Sequence, residues 1–189
     1  MSSSEPDRPA RADARRNREK LLAAAQHAFV ADGDAAPLER IARAAGVGIG
    51  TLYRHFPTRE ALVEAVYGAE LDDVIASAPA LLDQHAPDAA LRAWMDRYAD
   101  FFATKRGMLD TLRPGWASGR ITTPRGRVTA ALGSILDAGA RAGVLRADVD
   151  PEDVTMLVLG VLLSTGVEDD PERTGRLLDL VVDALRPRP

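Results

Sequence analysis

The residues best suited to chemistry in this chain stand together in GIGTLYRHF, Gly48 to Phe56. Thr51, Tyr53, Arg54 and His55 supply hydrogen-bond donors to anionic or base-like groups, with no nucleophile beside them that outranks a hydroxyl. Leu52 and Phe56 are four apart, the spacing of one helix face. A helical wheel started at Ile49 gathers Ile49, Leu52, Tyr53 and Phe56 on one side and turns Gly50, Thr51, Arg54 and His55 away. The outward set suits double-stranded DNA. The Arg54 guanidinium fits guanine O6 and N7 together, and Thr51 can bond a base edge or touch a thymine methyl. Gly50 puts no side chain between the start of the helix and a phosphate or base. Tyr53 sits at the border of the two faces, where its hydroxyl reaches backbone phosphate, and His55 can do the same as a neutral donor. The plainer reading is a glycine-rich interhelical turn with a solvated face.

Such a helix must be held by its neighbours. Leu38, Ile41, Ala42 and Ala45 mark a short helix before it, with Pro37 in its first turn and Gly46 as the left-handed residue that ends it. Val47 then plugs against Ile41 and Ala42, and Pro57 ends the second helix. A longer helix from Asp13, carrying Leu21, Leu22, Ala25, Ala28 and Phe29, precedes the pair and stops near Gly33. Helices joined by turns this tight describe a helix-turn-helix.

The remainder is read as more helices. Thr58 caps one carrying Leu62, Val63, Val66, Leu71 and Ile75, with Pro79 and the segment 84–88 as breaks. Asp88 caps the next, with Leu91, Trp94, Met95, Tyr98, Phe101 and Phe102, ending at Arg106–Gly107; a short helix covers Met108 to Leu112. The run 115–127 lacks periodicity and reads as a loop. Pro124 opens a helix that stops at Gly143, and Asp150-Pro151 starts another, apolar almost all round from 154 to 167. Glu168–Pro171 breaks it, and Leu177, Leu178, Val181, Val182 and Leu185 make the last helix. Nothing alternates with period two for long, so the chain is expected to be all-α.

Composition narrows the function. The 189 residues are 46% hydrophobic and 28% charged, with no cysteine, which excludes disulfides and thiolate chemistry. The uncharged run Thr155 to Val167 is shorter than the ~20 residues a bilayer span needs. The N-terminus lacks an apolar signal region, so the expectation is a cytoplasmic protein. With histidines only at 27, 55 and 85, and no HExxH or phosphate loop, neither an enzyme nor a metal or cofactor is expected. The net charge of −4 hides an asymmetry: Arg8 to Lys20 holds six basic and two acidic residues. Residues 1–12 read as a disordered basic arm, and with Arg15 and Arg16 beyond it they suit an anionic partner or form a solvated tail.

The segment LERIARAAGVGIGTLYRHFPTREALVEAVY, 38–67, resembles the DNA-binding domain of the TetR family of bacterial transcriptional regulators. The helix ending in AAGV, the GTLYRHF helix and the REAL helix start carry the likeness, which is specific over about residues 14–74; the wording is also similar to the high-GC actinobacterial branch. The resemblance implies an N-terminal three-helix DNA-binding domain over 13–74, with its helix-turn-helix core at 37–56. It also implies a helical effector-binding and dimerisation domain over 75–189, about nine helices in all. Gly48, Gly50, Thr51, Tyr53, Arg54 and His55 lie where the family contacts DNA, and Arg59 stands where many members place a phosphate-binding lysine. Pro37 and Ile49 depart from the pattern, the first replacing a capping Ser or Thr and the second a polar base reader. The function implied is a repressor released from a palindromic operator by a small molecule. A ligand-binding or interaction protein of this fold without operator binding is the alternative.

The second half offers two expectations. The helix 154–167 has more apolar surface than one bundle covers, so with 174–185 it can pair two chains into a homodimer, or else form the core of one. Trp94, Tyr98 and Phe102, with Phe101 beside them, are either core or one wall of an apolar cavity completed by Met108, Leu112 and Trp116, with Leu136 or Met156 opposite. Few charges stand among these positions, which favours a neutral, apolar or aromatic effector.

Overall fold

The computed structural model describes residues 8–119, 124–166 and 170–187. Among these the secondary structure is helical throughout, in nine α-helices and one 3₁₀ turn. The chain forms two compact units: Met1–Tyr67 with Gly107–Ala117, and Gly68–Arg106 with Ser118–Pro189.

The first unit contains α1 (Arg8–Asp32), the 3₁₀ turn Gly33–Ala35, α2 (Leu38–Ala44), α3 (Ile49–His55), the start of α4 (Arg59–Gln84) and nearly all of α6 (Arg106–Ala117). Its core is the set the helical spacing indicates: Leu21, Ala25 and Phe29 of α1, Ile41 of α2, Leu52 of α3, and Leu62, Val63 and Val66 of α4 are all buried. Fully burying such a side chain contributes about 1.5–3 kcal/mol. Two short helices that would not persist alone are thereby fixed against a long one. α1 begins at Arg8, so residues 8–12, assigned to a disordered arm, are helical; Pro9 falls in the first turn, where no N–H is missed. Residues 1–7 lie outside the described residues.

In the second unit α5 (Pro87–Thr104) packs against α7 (Arg125–Arg141), α8 (Pro151–Gly166) and α9 (Pro171–Ala184), and α8 also packs on α7 and α9. Caps explain several starts. Asp150 Oδ1 accepts from Glu152 N at 2.8 Å at the head of α8. Asp170 Oδ1 accepts from Arg173 N at 2.8 Å, so Pro171, read as a break, is the first residue of α9. α7 lies so close to its following turn that a Cβ on Gly139 would stand 2.4 Å from Leu145 Cδ1.

Two prolines are carried inside helices. α4 runs through Pro79 to Gln84, where a break was expected, because Ala78 and Leu81 on either side are buried and that packing outweighs one lost helical bond. α6 runs through Pro114 to Ala117, beyond the expected end at Leu112 and into the stretch read as a loop. Of that stretch, 120–123 lie outside the described residues.

Candidate nucleic-acid interface

α2 ends as its sequence dictates. Gly46 has φ +69°, Gly46 N donates to Arg43 O at 3.0 Å, and Val47 N donates to Ala42 O at 3.0 Å. This is a Schellman turn, which satisfies the last carbonyls of α2 and redirects the chain within three residues. Pro37 sits one position before α2, in extended conformation, and gives it no side-chain cap. α3 then starts after Gly48, with Thr51 N and Leu52 N both bonded to Gly48 O. Thr58 Oγ1 accepts from Ala61 N at 3.1 Å, starting α4 as expected.

The buried face of α3 is narrower than the wheel suggests. Leu52 and Phe56 are 0% and 2% exposed, but Ile49 and Tyr53, placed on the same side, are 37% and 47% exposed. A seven-residue helix packed against α1 and α2 is covered along one line only, and its flanks stay in solvent. The accessible surface of α3 is therefore Ile49, Gly50, Tyr53 and Arg54, all exposed, with Thr51 and His55 half-buried beside them and Gly48 exposed at the entry. That surface offers donors, an aromatic ring and an apolar β-branched side chain, which is the chemistry of base edges, phosphates and thymine methyls.

α1 supplies positive charge. Arg15 and Arg16 are exposed and pair with neighbours one turn away, Glu19 and Asp13; such pairs are weak and exchange readily for phosphate. Arg18, which sequence reasoning passed over, places its guanidinium 5.2 Å from the Phe56 ring centroid and so pins the end of α3 to α1. Arg59, expected on a phosphate, donates from Nη1 to Ala36 O at 2.8 Å and is half-buried. Its guanidinium thus braces the turn before α2 against the start of α4.

The residues expected to line an effector cavity are distributed as follows. Trp94, Tyr98, Phe101 and Phe102 are buried in the second unit. Trp94 stacks on Tyr98 at 5.4 Å, Tyr98 on Phe101 at 6.2 Å, and Trp94 Nε1 donates to Val74 O at 3.0 Å, which fixes that ring as core. Met108, Leu112 and Trp116 belong to the first unit, the former two buried, with Trp116 edge-on to Tyr67 at 5.7 Å. Burial pushes the Tyr67 phenol up to about 12. Leu136 is buried, but Met156 is 49% exposed, because α8 turns Val154, Val158 and Leu162 inward instead. Phe102 does line a pocket of about 120 Å³, together with Leu162, Thr165, Pro171 and the acidic Asp96, Asp100 and Asp170. Sequence reasoning missed Lys105, which is 2% exposed and paired with Glu70 at 2.7 Å; a lysine after an aromatic stripe carries no local sign of burial. Among the described residues no group of acidic and histidine side chains could hold a metal ion, and no helix is long and apolar enough to cross a membrane.

Known proteins agree with this geometry. Residues 21–66 match the description "Bacterial regulatory proteins, tetR family", and residues 86–187 match "Transcriptional regulator SbtR-like, C-terminal domain". A TetR transcriptional regulator from Streptomyces coelicolor is 46% identical, over 91% of this chain and 99% of that one, with a TM-score of 0.74. A TetR regulatory protein from Mycobacterium vanbaalenii is 36% identical over 95% and 100%, with a TM-score of 0.68. An HTH-type transcriptional regulator of Staphylococcus aureus is 29% identical over 107 residues; the match spans 58% of that relative's length. Similar proteins also come from Pectobacterium and Cytophaga, so the narrower likeness to a high-GC actinobacterial branch finds no specific support. With both halves of its length matched and near full-length relatives at this identity, the chain belongs to the TetR family of bacterial regulatory proteins.

Proposed function

We propose that the protein is a homodimeric repressor that reads a palindromic double-stranded operator through α3 and leaves it when a small molecule binds the C-terminal region. The observation that carries this reading is the exposed set Ile49, Gly50, Tyr53 and Arg54 on a helix held down by buried Leu52 and Phe56. Thr51, His55 and Gly48 complete the surface, and Arg15 and Arg16 supply phosphate contacts. One α3 offers few base contacts, and two-fold pairing doubles them at half-sites ~34 Å apart.

The pairing surface we assign to α8 and α9. Met156, Leu157 and Leu163 on α8 and Leu180 on α9 are 49%, 50%, 54% and 62% exposed, a run of large apolar side chains that a solitary chain leaves in water. The functional division is a reading domain over 13–74 and a regulatory domain over 75–189. α4 runs through both compact units and is the element through which an apolar or aromatic effector would act.

Selection from a random DNA pool tests the DNA reading: it should enrich an inverted repeat whose binding survives competitor DNA and weakens with salt. Sedimentation of Leu163→Asp/Leu180→Asp tests the pairing surface. The variant should be monomeric and bind the repeat poorly, and a dimer of unchanged affinity would remove α8 and α9 from the interface.

A further inference from the structure

Lys105 and Glu70 form an ion pair unlike the others described. The lysine side chain is 3% exposed and the glutamate 23%, whereas the arginines in the next most sheltered pairs, Arg146 and Arg92, are 21% and 24% exposed. The contact is single, Nζ to Oε2 at 2.7 Å, and the second carboxylate oxygen, Oε1, is buried with no hydrogen-bond partner. A buried pair satisfied this poorly is no gain in stability over two apolar side chains of similar volume, because desolvation offsets the attraction. Some other property of the pair must therefore account for it.

Its place in the chain supplies one. Glu70 lies on α4 just past Tyr67, where the chain leaves the first compact unit, and Lys105 closes α5 just before Gly107, where the chain returns to it. Both residues belong to the second unit, so the bond ties together two of the three places where the chain passes between the units. Lys105 N also bonds Phe101 O at 3.0 Å, so the lysine backbone is fixed to the end of α5 while its side chain reaches α4.

We propose that Glu70–Lys105 is a clasp that holds α4 to the end of α5 beside two of these crossings, and that operator affinity depends on it although neither residue touches DNA. Both are positioning residues, and the proposal rests on the DNA-binding reading above. A directional bond between two charges defines one geometry, whereas two apolar side chains permit several.

The test uses the full chain, the inverted repeat enriched by the wild type, and random-sequence DNA. Glu70→Met/Lys105→Met removes the charges together. It should melt at or above the wild-type temperature yet bind the repeat roughly 3- to 30-fold more weakly, with binding to random DNA unchanged. The reversed pair, Glu70→Lys/Lys105→Glu, should recover most of the lost affinity. A double methionine variant that binds the repeat as the wild type does overturns the clasp, and so does one that melts far below it, since the pair would then be a plain stability element. A wild-type chain that enriches no sequence overturns the DNA-binding reading itself, an outcome visible before any variant is made.

Discussion

Gly50→Ala separates what α3 needs for folding from what it needs for binding. Gly50 lies in the first turn of α3, exposed, with an ordinary helical backbone, and a Cβ built there meets nothing within 4 Å. In the free protein the added methyl therefore costs no packing, and it removes the entropy penalty of glycine in a helix, about 0.5–1 kcal/mol. For a chain of this size that is a rise of roughly 1–4 °C in melting temperature. On DNA the sign reverses. If Gly50 is bare so that backbone can approach a phosphate or base edge, the methyl displaces a hydrogen bond to a charged or buried group. Such a bond is worth about 1.5–3 kcal/mol, roughly 10- to 150-fold in affinity. Differential scanning fluorimetry and fluorescence anisotropy on the enriched repeat read the two effects on one sample. A variant that is more stable and binds unchanged would refute the close approach, and one that is less stable would refute the description of the free helix.

Other outcomes follow from single observations. Gly46→Ala should lower stability by about 1–2 kcal/mol, the cost of a side chain in the left-handed region, since nothing lies within 4 Å to add a clash; urea unfolding measures it. Trp94→Phe should cost about 1 kcal/mol, because Val74 O loses the indole donor but keeps Ser77 Oγ at 2.7 Å. A cost near zero would mean that the ring is not held by that bond. Tyr67, with its phenol raised from 10.0 to about 12, stays protonated in the folded chain while the unfolded chain ionises. That contribution is complete below pH ~10 and is lost as pH rises toward ~12, by roughly 2–3 kcal/mol. Denaturant midpoints of Tyr67→Phe should accordingly fall less than those of the wild type over that window.

The helix-turn-helix was legible because its signals are local. Gly46 and Thr58 mark ends that the backbone bonds bear out, and Leu52 and Phe56 are as buried as their spacing required. The all-helical class followed in the same way from repeated apolar spacing. Errors arose where tertiary packing decides. Pro79 read as a break and 115–127 as a loop, yet α4 runs through Pro79 between buried neighbours and α6 continues to Ala117. Ile49 and Tyr53 read as inward on a full wheel, but a helix seven residues long offers its neighbours only one line. Met156 looked like a cavity residue, and only the rotation of α8 sets it outward. Lys105 and Glu70 were beyond reach altogether, since a buried charge is recognisable only through a partner distant in sequence.

One comparison separates base reading by Arg54 from a contact with the DNA backbone. Wild type and Arg54→Ala are titrated against the enriched repeat and against each single-base-pair variant of it, at fixed salt. The variant should lose about 1–3 kcal/mol on the full repeat and its preference at one base pair in each half-site, with preferences elsewhere intact. Equal weakening on every sequence would make Arg54 a phosphate contact and contradict the reading of α3 as the helix whose arginine selects the operator.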